Sequence, residues 1–154
     1  MERLSVAAEG TTNASRAEVW KLVADANMYP EWGPWRAGGY QPDGPGPSRP
    51  GMRQWFRYGR RTTSEERVLE VDDGHRIVYT VDGGIPVKNY RAEILLSETG
   101  SGTHVSWHAE WDRTVLGRIV LRKLRMIYPE ILTCLISYAD TTCGTRKDEP
   151  AWDS

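Results

Sequence analysis

The chain of 154 residues has one phenylalanine, two cysteines and three histidines, and its 20 Lys and Arg nearly cancel its 21 Asp and Glu. Each shortage excludes something. A net charge of −1 gives no global field that would draw the chain to nucleic acid or to an anionic membrane. No apolar run approaches the roughly 20 residues that a bilayer span requires. The first ten residues lack the apolar stretch and cleavage site of a signal peptide. Cys134 and Cys143 fall in what reads as one helix. At about 1.5 Å per residue they stand about 13 Å apart, beyond the roughly 7 Å Cα limit for a disulfide. Free thiols and no leader define the expectation of a soluble, cytoplasmic protein. P-loop and G-x-S-x-G motifs are missing, which argues against nucleotide-dependent enzymes and hydrolases.

What is present is tryptophan and tyrosine, seven of each. Both carry a large apolar body with a polar handle, which suits the wall of a cavity better than a purely apolar core. With 39% hydrophobic and 27% charged residues, the composition is that of one folded domain, placed at 1–144 and followed by a polar tail at 145–154.

The pattern along the chain is uneven. Residues 3–11 alternate as a strand. Asn13 or Ser15 can cap a short amphipathic helix ending near Asp25, with Glu18 at capping-box spacing from Ser15. Residues 28–35, with two prolines, read as an irregular aromatic turn, and the Gly/Pro-rich 38–51 as a loop. Strands are expected at 52–58, 62–72, 76–82, 87–97 and 103–112, joined by short turns and hence antiparallel. From Arg118 to Ala139 the apolar residues Val120, Leu121, Leu124, Ile127, Tyr128, Ile131, Leu132, Leu135 and Tyr138 share one broad helical face. Pro129 on the polar side is expected to kink this helix. A one-sided antiparallel sheet needs a cover, and the long helix is the element large enough to supply it. The class is therefore α+β.

Several segments carry a resemblance. Val19-Trp20 to Asp25 with Tyr29-Pro30-Glu31-Trp32, Glu66-Arg67-Val68, Arg76-Ile77-Val78-Tyr79, Asn89 to Glu93 and Gly102 to Trp111, followed by the terminal helix, resemble the SRPBCC (START-like, helix-grip) superfamily. The polyketide cyclase/dehydrase-like branch is the nearest. The resemblance covers about 140 residues and implies a helix-grip fold: a curved antiparallel β-sheet wrapped around a long C-terminal α-helix with a hydrophobic cavity. It implies a hydrophobic or aromatic small molecule as partner; no cofactor, no nucleic acid and no integral membrane association are expected. It leaves open the oligomeric state. Because this fold hosts many functions, two readings stand: binding or transport of a lipid, polyketide or aromatic metabolite, and a polyketide cyclase/aromatase-like enzyme.

Candidate residues follow from alternation and from the resemblance. Trp107 and Trp111 share the inner face of the last strand with Val105 and Ala109, either as core or as ligand wall. Tyr90 and Tyr79 alternate inward with Ala92, Ile94, Ile77 and Val81, and the small Ala92 and Ala109 leave room. Trp32, Trp35, Trp55, Leu124 and Tyr128 complete the expected ligand wall. Arg67 shares a strand face with Leu69 and Val71 and matches a cavity arginine of aromatase/cyclases. Inward, it would stabilise a carbonyl or enolate oxygen; outward, it is a surface residue. The sequence offers no evident general base inside the pocket. The mouth is expected at 29–35, 38–51 and Pro129. His104 and His108 lie about 13 Å apart along a strand at roughly 3.3 Å per residue, and His75 is isolated, so no metal site is expected. The basic positions Arg118, Arg122, Lys123 and Arg125 read as a solvated helix face.

Overall fold

The computed structural model describes residues 2–144, with side chains to residue 142. The expected polar tail at 145–154 and the side chain of Cys143 lie outside the described residues. Cys134 carries a free thiol.

The chain runs β1 (Arg3–Thr12), α1 (Arg16–Val23), a 3₁₀ turn (Ala26–Met28), α2 (Tyr29–Trp32), β2 (Ala37–Gln41), β3 (Arg53–Tyr58), β4 (Thr62–Asp72), β5 (Arg76–Gly83), β6 (Arg91–Glu98), β7 (Thr103–Asp112), α3 (Val115–Tyr138) and a π-helical turn (Ala139–Gly144). The strands form one antiparallel curved sheet in the order β1-β7-β6-β5-β4-β3-β2. With the helices on its concave face, this is the α+β helix-grip architecture.

Local chemistry sets the elements. Ser15 and Glu18 form the capping box that opens α1, each side chain accepting from the other's backbone N–H at 3.2 Å. Thr114 caps α3 by accepting from the Gly117 N–H at 2.8 Å. Val105, Trp107, Ala109 and Trp111 of β7 are all buried, as are Tyr90, Ala92, Ile94 and Leu96. The buried face of α3 holds Val120, Leu124, Tyr128, Ile131, Leu132 and Leu135.

Two expectations are corrected. Residues 37–41 are not loop but the edge strand β2, whose Gly38 lies under Phe56: a Cβ there would come 2.7 Å from the ring. The strand expected from 87 begins at Arg91. The long helix spans 24 residues with Pro129 inside it, on its exposed side.

Candidate functional site

A cavity of about 790 Å³ lies between the sheet and α3. Its place follows from the seat of the helix. Against β1 the two approach so closely that a Cβ at Gly10 would sit 2.4 Å from Ile136 Cδ1. The far half of the sheet, β3 to β5, is thereby held away from α3, and that gap is the cavity.

The wall is largely aromatic. Tyr29 stacks on Phe56 with centroids 4.6 Å apart, and lies 5.0 Å from Trp35 and 6.1 Å, edge-on, from Trp107. Trp107 is 6.4 Å from Tyr128. Leu124, Ile127 and Ile131 of α3 and Ile85 and Pro86 after β5 fill the remaining apolar surface. Polar tips are tied to one another. The Trp107 Nε1–H donates to the Tyr79 hydroxyl at 2.9 Å, and the Tyr90 and Tyr128 hydroxyls bond to each other. Burial above all holds the hydroxyls of Tyr29, Tyr79, Tyr90 and Tyr128 protonated well past their ordinary range.

A carboxyl stands in this wall, away from the rim. Glu66 on β4 lines the cavity, accepting from Gln54 Nε2 on Oε1 and from Ser64 Oγ on Oε2, both at 3.2 Å. Gln54 is held in turn by Ser48 Oγ at 3.4 Å, and Ser48 by the Tyr40 hydroxyl at 3.1 Å. Gln54, Ser48 and Tyr40 are all buried. Loss of hydration raises the Glu66 carboxyl to about 7, and the hydrogen bonds from Gln54 and Ser64 oppose part of that rise. Sequence reasoning missed this group, together with Ser64, Tyr29 and Phe56. Its signal was the alternation of Ser64, Glu66 and Val68.

Arg67 is the counterpart correction. It lies on the outer face, exposed, where its Nε and Nη2 donate to the Asp82 carboxylate at 3.0 and 3.1 Å. Two irregularities explain the reversal. Val68 pairs with Tyr79, but Glu70 pairs with Val78, so Leu69 is an extra residue in β4. Beyond the bulge the phase inverts, and Val71 faces inward opposite Ile77 although Arg67 does not. On the other side, Glu65 pairs with Gly83 and Glu66 with Val81, which leaves Asp82 unpaired beside Arg67.

Of the other sequence candidates, Trp35, Tyr79, Tyr90, Trp107, Leu124 and Tyr128 come together on the cavity wall. Trp32 is buried behind it, donating to the Leu22 carbonyl at 2.9 Å. Trp111 is buried against Tyr90 and donates to the Gly117 carbonyl at 3.0 Å, covering the first turn of α3. Trp55 is half-buried on the face of β3 opposite Gln54 and Phe56. Ala92 and Ala109 pair directly and are fully buried outside the cavity lining.

The mouth also differs from expectation. Its rim is the β3–β4 hairpin at 59–62, residues 84–86, and the exposed Ile119, Lys123, Met126 and Glu130 of α3. Arg60, Arg61 and Lys123 make this rim cationic, and the Tyr58 hydroxyl bridges hairpin to helix by donating to Glu130 Oε1 at 3.1 Å. Residues 38–51 do not line it. Pro129 lies instead in a separate groove against Ala7 and Ala8 of β1.

His104 and His108 sit on the outer face beside Glu9 at 3.9 Å and Glu93 at 3.4 Å. Among the described residues, no helix is long and apolar enough to cross a membrane.

Residues 3–127 match the family described as polyketide cyclase/dehydrase and lipid transport. No curated protein sequence matches the chain. Among solved structures, a Thermobifida fusca protein is 27% identical with a TM-score of 0.68, over 93% of this chain and 97% of that one. The protein XoxI of Bacillus cereus is 20% identical with a TM-score of 0.72, over 92% and 97% of the two chains. DynU16, from the dynemicin biosynthetic locus, is 16% identical with a TM-score of 0.70, over 92% of this chain and 49% of its own.

Proposed function

The chain belongs to the polyketide cyclase/dehydrase and lipid transport family, and from that premise we propose that it binds a hydrophobic small molecule in the cavity under α3. A flat aromatic or polyketide-like body suits this wall best. The observation that carries the reading is the cavity itself: about 790 Å³, walled by Tyr29, Trp35, Phe56 and Trp107 and open at one rim. A plain core would be filled to close packing, and a space of this size is that of a small-molecule site.

The test is native mass spectrometry of the purified protein for a copurified ligand, joined to tryptophan fluorescence during titration with 1-anilinonaphthalene-8-sulfonate and with oleate. Saturable quenching in the wild type, weakened at least about tenfold (about 1.4 kcal/mol) in Trp35→Ala, supports the reading. A protein that carries nothing and responds to neither probe retires it. Trp107→Ala is the harsher variant, since truncating a buried tryptophan costs about 3–5 kcal/mol of stability.

The second reading, a cyclase-like enzyme, now rests on Glu66 rather than on Arg67. Its carboxyl supplies an acid or base inside the cavity, whereas Arg67 is engaged by Asp82 on the outside.

A further inference from the structure

We propose that Glu66 is a catalytic acid–base residue that moves a proton at the carbon next to a ketone carbonyl of a ligand held in the cavity. The proposal rests on the binding reading and deepens it by naming the ligand class: an enolisable ketone on an apolar or aromatic body.

Three observations carry it. First, Glu66 is built into the wall rather than stranded there. Each carboxylate oxygen accepts one hydrogen bond, from Gln54 and from Ser64, and each retains a lone pair for a ligand proton. The line Tyr40–Ser48–Gln54 fixes the carboxyl from behind, through groups that are themselves buried. Such support holds a reacting group in one geometry. Second, its hydrogen-bond partners, Gln54 and Ser64, are neutral, and among the described residues no ion pair involves Glu66. A carboxylate locked to arginine would be a poor base. Third, hydroxyl donors share the same cavity. Trp107 donates to the Tyr79 oxygen, and the Tyr79 O–H is itself spent on the Tyr90 and Tyr128 hydroxyls. Tyr90 and Tyr128, bonded to each other, keep one hydroxyl proton beyond their mutual bond. Fixed donors in a dry site stabilise an oxyanion strongly.

The step balances without a co-reactant. The Glu66 carboxylate takes the proton from the α-carbon, and the C–H electron pair becomes the new C=C bond. The carbonyl π pair moves to oxygen, and the enolate oxygen accepts a hydrogen bond from a tyrosine hydroxyl. Glu66, now protonated, returns the proton to the same carbon, or to the far end of a conjugated enolate, which shifts the double bond. A carboxyl poised near neutrality beside tyrosine donors in an apolar site is a combination suited to this chemistry.

The groups facing Glu66 from the packed elements are Tyr29 of α2, Tyr79 of β5, Tyr90 before β6 and Tyr128 of α3. All four tyrosines stay neutral through the range of the assay. Tyr58 and the charged groups Arg60, Arg61, Lys123 and Glu130 line the rim of the same cavity.

The experiment follows deuterium uptake into 2-tetralone in D₂O by NMR, with binding read separately from tryptophan quenching. The wild type is expected to raise exchange at least about 100-fold above buffer, the low end for a positioned acid–base group, with a rate that climbs to a plateau through about pH 7. Glu66→Gln is expected to bind equally and to fall to the buffer rate, while the outward Arg67→Ala behaves as wild type. Quenching without accelerated exchange overturns the proposal and leaves the binding reading standing. So does accelerated exchange that persists in Glu66→Gln, or a wild-type rate flat between pH 5 and 9, which needs no variant. Neither quenching nor exchange overturns both readings for this ligand class.

Discussion

Glu66 gives up its proton less readily in the fold than in the unfolded chain, because the cavity strips its hydration; its carboxyl moves from near 4.5 to about 7. The native state therefore holds more protons than the unfolded state between those values, and stability falls as pH rises across that window. The whole effect is bounded at about 3 kcal/mol, from about 1.36 kcal/mol per unit, and is fully lost above pH 7. Glu66→Gln removes the ionisable group without removing the shape. It should be more stable than wild type at pH 8, with a margin that shrinks toward pH 5, as read from urea midpoints. Equal margins at both pH values would mean that the carboxyl is better solvated than its place in the wall implies. Arg67 makes the contrasting case one position along the chain. Its exposed pair with Asp82 is screened by water, so Arg67→Ala should leave stability nearly unchanged and the midpoint of ligand titration where it was.

At the scale of elements, the signals with a long period were legible and the single-residue offsets were not. The inner face of β7 and the buried stripe of α3 could be read because alternation and helical spacing repeat over 10 and 24 residues. The strand β4 could not. One extra residue at Leu69 reverses the face of everything on one side of it, and leucine leaves no mark that a glycine bulge would. The rule that Arg67, Leu69 and Val71 share a face was sound for a regular strand and failed because this strand is bulged. Edge strand β2 escaped for a different reason: Gly38 and Gly39 have little strand preference of their own, and pairing with β3 imposes it. The short link after β5 offers the sharpest element-level test. Gly84 adopts φ +85° and passes so near β4 that a Cβ would lie 1.7 Å from the Thr63 carbonyl oxygen. Because the obstacle is backbone, Gly84→Ala should cost about 1–3 kcal/mol from the backbone strain alone. It should also push the 84–86 rim outward, with faster ligand release in stopped-flow. A variant of wild-type stability would mean that the link shifts freely.

At the scale of the molecule, a cavity this large is carried at the expense of packing, and a ligand that fills it should restore what is missing. A hydrophobic probe at 100 times its Kd should stabilise the protein by about 2.7 kcal/mol, visible as a raised melting temperature. An unchanged melting temperature at a concentration shown to saturate quenching would place the probe outside the cavity. The sheet's order has another consequence, one of timing. The strand made first, β1, pairs along its full length with β7, and the Arg3–Asp112 bond spans 109 positions. At about 5–20 residues per second of synthesis, β1 waits on the order of ten seconds for a partner still inside the ribosome. Throughout that interval it presents an open edge, with Arg3 and Glu9 as its charged guards against pairing with other chains. Closing so long a loop is slow. In pulsed hydrogen exchange during refolding, the amides of β1 should gain protection last, after the β3–β4 and β6–β7 hairpins; early protection there would put the closure first.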